Sequence, residues 1–361
     1  MVARDGGRTP RSLARGIPPA ASGTVGYNDR VSSGASDSPA EYLAVREAVG
    51  LVDRRDLGVV EVSGRDRATF LNALLSNDVK SLAAGQGCAA TLLDIHGKVQ
   101  ALLLVWVLED RVLLLTPPGL AASTVEQLDH YLFSEKVSLA DVTAEWALFM
   151  LAGPGAPDLA ARVIGVRPPS APWSSIAATV DGTAVRLVTG GGETGGAEVW
   201  VGVTASAGDR VASLLTAAGA RPIGAEALES LRIEAGTLRF GSDIGPSVLL
   251  PEVPFEPLLS HSKGCYPGQE VVVRIRDRGH VNRHLRGLVV TGDAVPQRGD
   301  EVVAGDAVIG SITSATRSYG LQHPIALALV RREHAEPGAA VGVRVDGRVV
   351  PATVSALPFA R

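Results

Sequence analysis

Apolar positions in the first third of the chain alternate between helical and strand spacing. Tyr42, Leu43 and Val45 recur among charged residues over 41–49 at roughly helical spacing, and 59–62 is a short β-branched run. Phe70, Leu71, Leu74 and Leu75 stand at i, i+1, i+4 and i+5, a helical stripe closed by Ser76-Asn77-Asp78. Apolar runs follow at 89–93, 99–108 and 111–116; the last two are parted only by Glu109-Asp110, which predicts a buried hairpin, and 120–132 predicts a second helix. Strands are then expected at 137–142, 146–151, 184–188 and 198–203, with helices near 158–163, 209–218 and 225–235, the last stopped by Gly236 as a C′ glycine. From 285 onward short β runs at 287–290, 308–313, 325–330 and 341–345 recur between Gly, Pro and Asp turns, the spacing of a small antiparallel barrel. The pattern is α+β, divided into a disordered tail (1–38), a two-lobed region (39–284) and a C-terminal β-barrel (285–361).

Composition narrows the classes. The formal charge is −4, so polyanion binding would need a local patch. The longest uninterrupted apolar run, 101–108, is far short of the ~20 residues a membrane helix needs. Two cysteines, Cys88 and Cys265, build neither a disulfide framework nor the four-thiolate set of an ordinary iron–sulfur cluster, which points to a reducing, cytoplasmic setting.

Three motifs compete for chemistry. Gly190-Gly191-Gly192-Glu193-Thr194-Gly195 matches G-x-G-x-x-G, but a dinucleotide site needs a helix after the glycines, and 197–203 alternates as a strand; the loop is read as delivering Glu198 to a strand start. His261-x3-Cys265 with His280-x3-His284 imitates metal-ligand spacing, yet 270–276 reads as a strand between the pairs, and no metal is expected. The run Lys263-Gly264-Cys265-Tyr266-Pro267-Gly268-Gln269-Glu270 places Pro267 and Gly268 at the centre of a type II turn. With 263–265 extended, Lys263 and Cys265 would share a face and the ammonium would favour the thiolate. Arg232 borders the apolar stripe of 225–235 and needs a partner, either a ligand or a salt bridge to Glu198 or Glu252. On a 270–276 strand, Arg274, Arg276 and Arg278 would form a basic stripe, extended by Arg283 and Arg286, that could touch RNA.

The run 263–270, continued by Arg274 and 278–283, resembles the K-G-C-[FY]-x-G-Q-E signature of the YgfZ family, folate-binding proteins related to the glycine-cleavage T-protein. Residues 44–53, 62–66, 77–79 and 231–236 are also similar to landmarks of that superfamily. The resemblance implies a three-lobed cloverleaf holding tetrahydrofolate, with Glu198 on the pterin, Arg232 helping to hold the ligand, and Tyr266 and Gln269 as further contacts. It implies Cys265 as the reactive group, tuned by Lys263, and a role in iron–sulfur cluster assembly or repair and thereby tRNA modification, with iron–sulfur client proteins or assembly machinery, and tRNA, as partners. The competing reading is a folate-dependent aminomethyl- or methyltransferase of the T-protein type. Against it, Ala101 stands where such transferases carry a catalytic Asp, although Asp94 lies nearby.

Overall fold

The computed structural model describes residues 37–360, so all but the last two positions of the expected tail lie outside the described residues. Helix α1 (Ser38–Glu47) leads into strand β1 (Gly50–Asp53). Next come β2 (Gly58–Ser63), α2 (Arg67–Leu74), β3 (Gly87–Leu93), β4 (Val99–Val107), β5 (Arg111–Thr116), α3 (Ala121–Asp129) and β6 (Ser138–Asp141). Strands β2 to β6 make one antiparallel sheet in the order β3-β4-β5-β2-β6. On β4, Ala101, Leu103 and Val105 pack with Phe70, Leu71 and Leu74 of α2 and Leu128 of α3, while Leu102 and Leu104 pack from the other face. Both faces are covered, which is why the strand reads as a continuous apolar run.

The second lobe adds β7 (Trp146–Ala152), α4 (Ala156–Ile164), β8 (Ser175–Val180), β9 (Thr183–Thr189), β10 (Glu198–Thr204), α5 (Gly208–Ala217) and β11 (Arg221–Pro222). Its sheet runs β11-β1-β7-β10-β9-β8, with β1 and β11 parallel. The two lobes are therefore not consecutive in sequence: β1 crosses into the second sheet, where Leu51 packs with Phe149, Leu151 and Val199. Trp106 and Trp200 meet edge to face between the sheets, ring centroids 6.2 Å apart.

Helix α6 (Ala225–Ala235) ends at Gly236 in the left-handed conformation, and α7 (Gln269–Arg278) precedes the barrel. The barrel strands are β12 (Arg283–Val290), β13 (Glu301–Ala304), β14 (Ala307–Arg317), β15 (Pro324–Arg331), β16 (Ala340–Val345) and β17 (Arg348–Ser355). They close in the order β12-β15-β14-β13-β16-β17 around Leu288, Val302, Ile312 and Val343. Among the described residues no helix is long and apolar enough to cross a membrane.

Helix α6 joins the three units through buried Glu234. Its carboxylate accepts hydrogen bonds from Tyr42 Oη (2.7 Å) and Arg46 Nη2 (2.8 Å) of α1, from Ser230 of its own helix, and from Ser318 Oγ (2.6 Å) and the Gly320 N–H (3.2 Å) beside the barrel. Burial alone would raise its pKa, but the donors from Ser318, Tyr42 and Gly320 and the charge of Arg46 outweigh it and hold the group below the ordinary glutamate range. Because the folded-state pKa is depressed, this stabilisation is complete above the unfolded-state value of ~4.3 and is lost as pH falls through the folded one. Glu234→Gln is expected to cost roughly 2–3 kcal/mol at pH 7, since donors replace acceptors among donors. The gap between variant and wild type should narrow below pH ~4, as urea melts at both pH values would show.

Candidate functional site

Residues 266–269 form the expected type II turn: Gly268 has φ +77 and ψ −5, and the Gln269 N–H donates to the Tyr266 carbonyl at 3.2 Å. A Cβ at Gly268 would lie 2.4 Å from the Asp94 carbonyl oxygen, so only glycine lets this turn seat on the β3–β4 hairpin. The chain then enters helix α7, not a strand. Val272 and Ile275, one turn apart, face inward, Glu270 sits in the first turn, and Arg276 and Arg278 close the last, a charge order that suits the helix dipole. The expected arginine stripe is lost with the strand. Arg274 and Arg278 share one helical face, whereas Arg276 bonds Asp277 and His261, Arg283 binds Glu252 at 2.7 Å, and Arg286 donates to the Ala335 carbonyl. His261 is occupied between Glu256 and Arg276, and among the described residues no group of His, Cys, Asp and Glu is arranged to hold a metal ion.

The two thiols have opposite environments. Cys265 is exposed; Cys88 is buried under α2, and desolvation together with Asp78 pushes its thiol up to about 12. Lys263 is electrostatically coupled to Cys265 but makes its hydrogen bonds elsewhere. It donates to the Asn72 and Leu75 carbonyls at the C-terminal end of α2 and lies 4.8 Å from the centroid of the Tyr266 ring. Burial pulls Lys263 down to about 8, against the opposing pull of Asp78 and both thiols. Tyr266 is buried among Leu93, Val99 and Val272, and its ring is a platform for Lys263. Gln269 is the first residue of α7 and partly exposed.

The glycine loop behaves as expected, with β10 starting at Glu198. Glu198 is 3% exposed; Oε1 accepts from the Thr194 N–H and from Thr194 Oγ1 (2.8 Å), and Oε2 accepts from the Gly192 N–H (3.1 Å). Burial and the neighbouring Glu193 raise its pKa against those donors. The indole of Trp173 lies on Gly191, where a Cβ would come within 2.1 Å of it. Beneath the loop, Arg54 Nη1 binds Glu193 (2.6 Å), its guanidinium sits 5.1 Å from the Trp200 ring, and Asp56 lies 3.5 Å from Arg54 Nε.

On β4, Ala101 is buried against α2 and carries no polar group. Asp94 Oδ1 accepts the His96 and Lys98 N–H groups at 2.8 and 2.9 Å, which fixes that carboxylate to the hairpin turn rather than to strand β4.

Arg232 is 2% exposed and binds neither Glu198 nor Glu252. Its five N–H donors go to Glu229 (Nε and Nη2), the Thr237 carbonyl and Asp243 (Nη1), and Ser314 Oγ (Nη2). All five donors are engaged within the protein, so Arg232 ties α6 to the barrel.

Two family models match: the GCVT N-terminal domain over residues 25–256 and the glycine cleavage T-protein C-terminal barrel domain over 283–360. The chain belongs to the glycine cleavage T-protein family. An aminomethyltransferase of Frankia alni is 34% identical over 328 residues, spanning 89% of this chain and 88% of that protein. One from Streptomyces avermitilis is 30% identical over 339 residues, with 89% of each chain covered. A chloroplastic protein of Arabidopsis thaliana named only as a transferase is 27% identical over 332 residues, 88% of this chain and 72% of its own. The crystal structure of aminomethyltransferase T of the glycine cleavage system from Bartonella henselae superposes with a TM-score of 0.81 at 22% identity, covering 90% and 89% of the two chains, which shows the T-protein fold.

Within this T-protein-family chain the structure brings Glu198 together with Glu193 of the glycine motif and with Arg54, Asp56, Trp173 and Trp200, which the sequence had not marked. It sets Lys263, Cys265 and Tyr266 against a different edge, beside β3 and the end of α2. A cleft of about 290 Å³ lined by Asp66, Phe70, Tyr131 and Glu135 touches neither group.

Proposed function

We propose that this T-protein-family chain is a tetrahydrofolate-binding accessory protein of the YgfZ type, supporting iron–sulfur cluster assembly or repair through an exposed thiol. The observation that carries the reading is the contrast between the reactive positions. Strand β4 offers no carboxylate, since Ala101 is apolar and Asp94 belongs to the turn before it, while Cys265 stands in solvent beside the rigid turn of the signature run.

Two buried indole donors between the sheets support a polar ligand there. The Trp106 and Trp200 indole N–H groups are buried without a hydrogen-bond partner among the described residues, which a polar heterocycle would supply. Bound tetrahydrofolate supplies a nucleophilic nitrogen able to carry one-carbon units; the chain's part is to grip and orient it.

The relatives' names favour a second reading, folate-dependent aminomethyl transfer. That reaction needs a polar group at the reacting nitrogen for proton transfer and orientation. Purified protein assayed with a lipoyl-bound aminomethyl donor and tetrahydrofolate is expected to bind the folate and transfer nothing above background, while the gene restores iron–sulfur enzyme activity to a deletion strain. Turnover in the first assay would overturn the accessory reading in favour of the second.

A further inference from the structure

The cleft of about 290 Å³ between α2 and the turn that follows α3 is lined on one side by apolar and aromatic groups, Phe70 and Leu74 of α2 and Tyr131 of the turn, and on the other by Asp66 and Glu135. Among the described residues no basic side chain lines it. Arg65 approaches Asp66 no closer than 3.7 Å, and with its side chain 77% exposed that pair contributes little.

Both carboxylates are fixed by the backbone. Asp66 Oδ2 accepts the Lys136 N–H at 2.7 Å, and Glu135 Oε2 accepts the N–H groups of Phe133 (3.0 Å) and Ser134 (2.9 Å). The backbone donors of Glu135 itself, Phe133 and Ser134 hold the Glu135 carboxyl below the usual carboxylate range, so it is ionised at neutral pH. An ionised carboxylate offers about four lone-pair positions, and these bonds leave acceptor capacity on each group for a donor in the cleft. The turn also holds Phe133 out: the ring is 87% exposed, although the chain before it is tied down by the Tyr131 N–H on the Leu128 carbonyl and the Leu132 N–H on the Asp129 carbonyl. A phenyl ring presented to water on a fixed turn, next to an apolar cleft, has the composition of an interface core and not of a solvated loop.

We infer that the cleft and Phe133 dock a protein partner through an arginine flanked by apolar residues. Charge complementarity sets the sign, since the wall carries two fixed anions and no lining cation. A guanidinium entering there meets carboxylates on one side and aromatic faces on the other, which suits its planar, weakly hydrated charge. The apolar neighbours of that arginine cover Phe133, as a free cation or small amine could not. Neither tetrahydrofolate nor Cys265 takes part in this contact. Helix α2 does carry the Asn72 and Leu75 carbonyls that Lys263 caps, so a partner seated in the cleft rests on a helix that the signature run also touches.

The test is fluorescence anisotropy of labelled peptides with a central Leu-Arg-Leu or Leu-citrulline-Leu, at about 50 mM salt so that surface charge is only partly screened. Wild type is expected to bind the arginine peptide about tenfold more tightly than the citrulline peptide, which keeps the shape and loses the charge. The double variant Asp66→Asn, Glu135→Gln should erase that preference. Phe133→Ser should weaken both peptides by about tenfold and keep the preference, because it removes the apolar anchor alone. The double variant Asp158→Asn, Asp209→Asn removes two exposed carboxylates on α4 and α5 of the second lobe and should bind as wild type does. Equal binding of the two peptides by wild type, or binding of neither, overturns the assignment. So does a preference that survives Asp66→Asn, Glu135→Gln, one lost equally in Asp158→Asn, Asp209→Asn, or undiminished binding by Phe133→Ser.

Discussion

Replacing Arg232 by alanine is expected to lower stability by roughly 3–5 kcal/mol, the cost of breaking a buried ion pair by removing one partner. Asp243 has a side chain with no exposure; it keeps hydrogen bonds from Thr313, Ser314 and the Arg239 N–H but loses its opposite charge. The tie between α6 and β14 goes with it, because Arg232 reaches Ser314 across the lobe boundary. Arg232→Lys should recover only part of the loss, as one ammonium cannot replace a planar fork with five donors. Calorimetry should show a fall on the order of 10 °C in the ligand-free protein. An arginine whose work was to hold a ligand would behave differently: the ligand-free melting temperature would stay near that of wild type and the folate Kd alone would rise. That outcome would return Arg232 to the site.

The contrast between Arg232 and Gly236 shows what a sequence can carry. The end of α6 was legible because a C′ glycine acts locally, and the turn at 266–269 was legible because Pro267 and Gly268 fix their own dihedrals. Arg232's need for a partner was also legible, but not the partner. Asp243 and Ser314 reach it only through the docking of a loop and a barrel strand, so proximity along the chain pointed nowhere. Helix α7 was misread because Val271, Val272, Val273 and Ile275 are β-branched and satisfy strand propensity. Its helicity comes from docking Val272 into the core and from charges at its two ends, and tertiary context overrides propensity in such a short segment. Asp56 was invisible for another reason. Asp53-Arg54-Arg55-Asp56 reads as a solvated charged turn, and half of it is one, since Arg55 is paired at the surface with Asp53 and Asp209. Only the crossing of β1 into the second sheet turns Arg54 and Asp56 inward beneath the glycine loop.

Cys265→Ala is expected to abolish restoration of iron–sulfur enzyme activity in a deletion strain while leaving fold and folate affinity unchanged. The side chain is exposed and belongs to none of the buried clusters, so its removal should alter stability by no more than about 0.5 kcal/mol. Cys88 provides the internal control. It packs with Leu74, Leu75 and Val79, and its thiol is held protonated at neutral pH, so Cys88→Ala should cost about 1 kcal/mol in stability and nothing in complementation. Iodoacetamide on the native protein should then label Cys265 and spare Cys88 until denaturant is added. The control matters because Lys263, buried beside Cys88 and bonded to the end of α2, would transmit a packing change to the signature turn. A structural role for Cys265 would therefore appear as altered folding in both variants. A chemical role appears as lost complementation in one variant whose melting curve overlays that of wild type. Full complementation by Cys265→Ala would dismiss the thiol and leave tetrahydrofolate chemistry as the remaining basis of function.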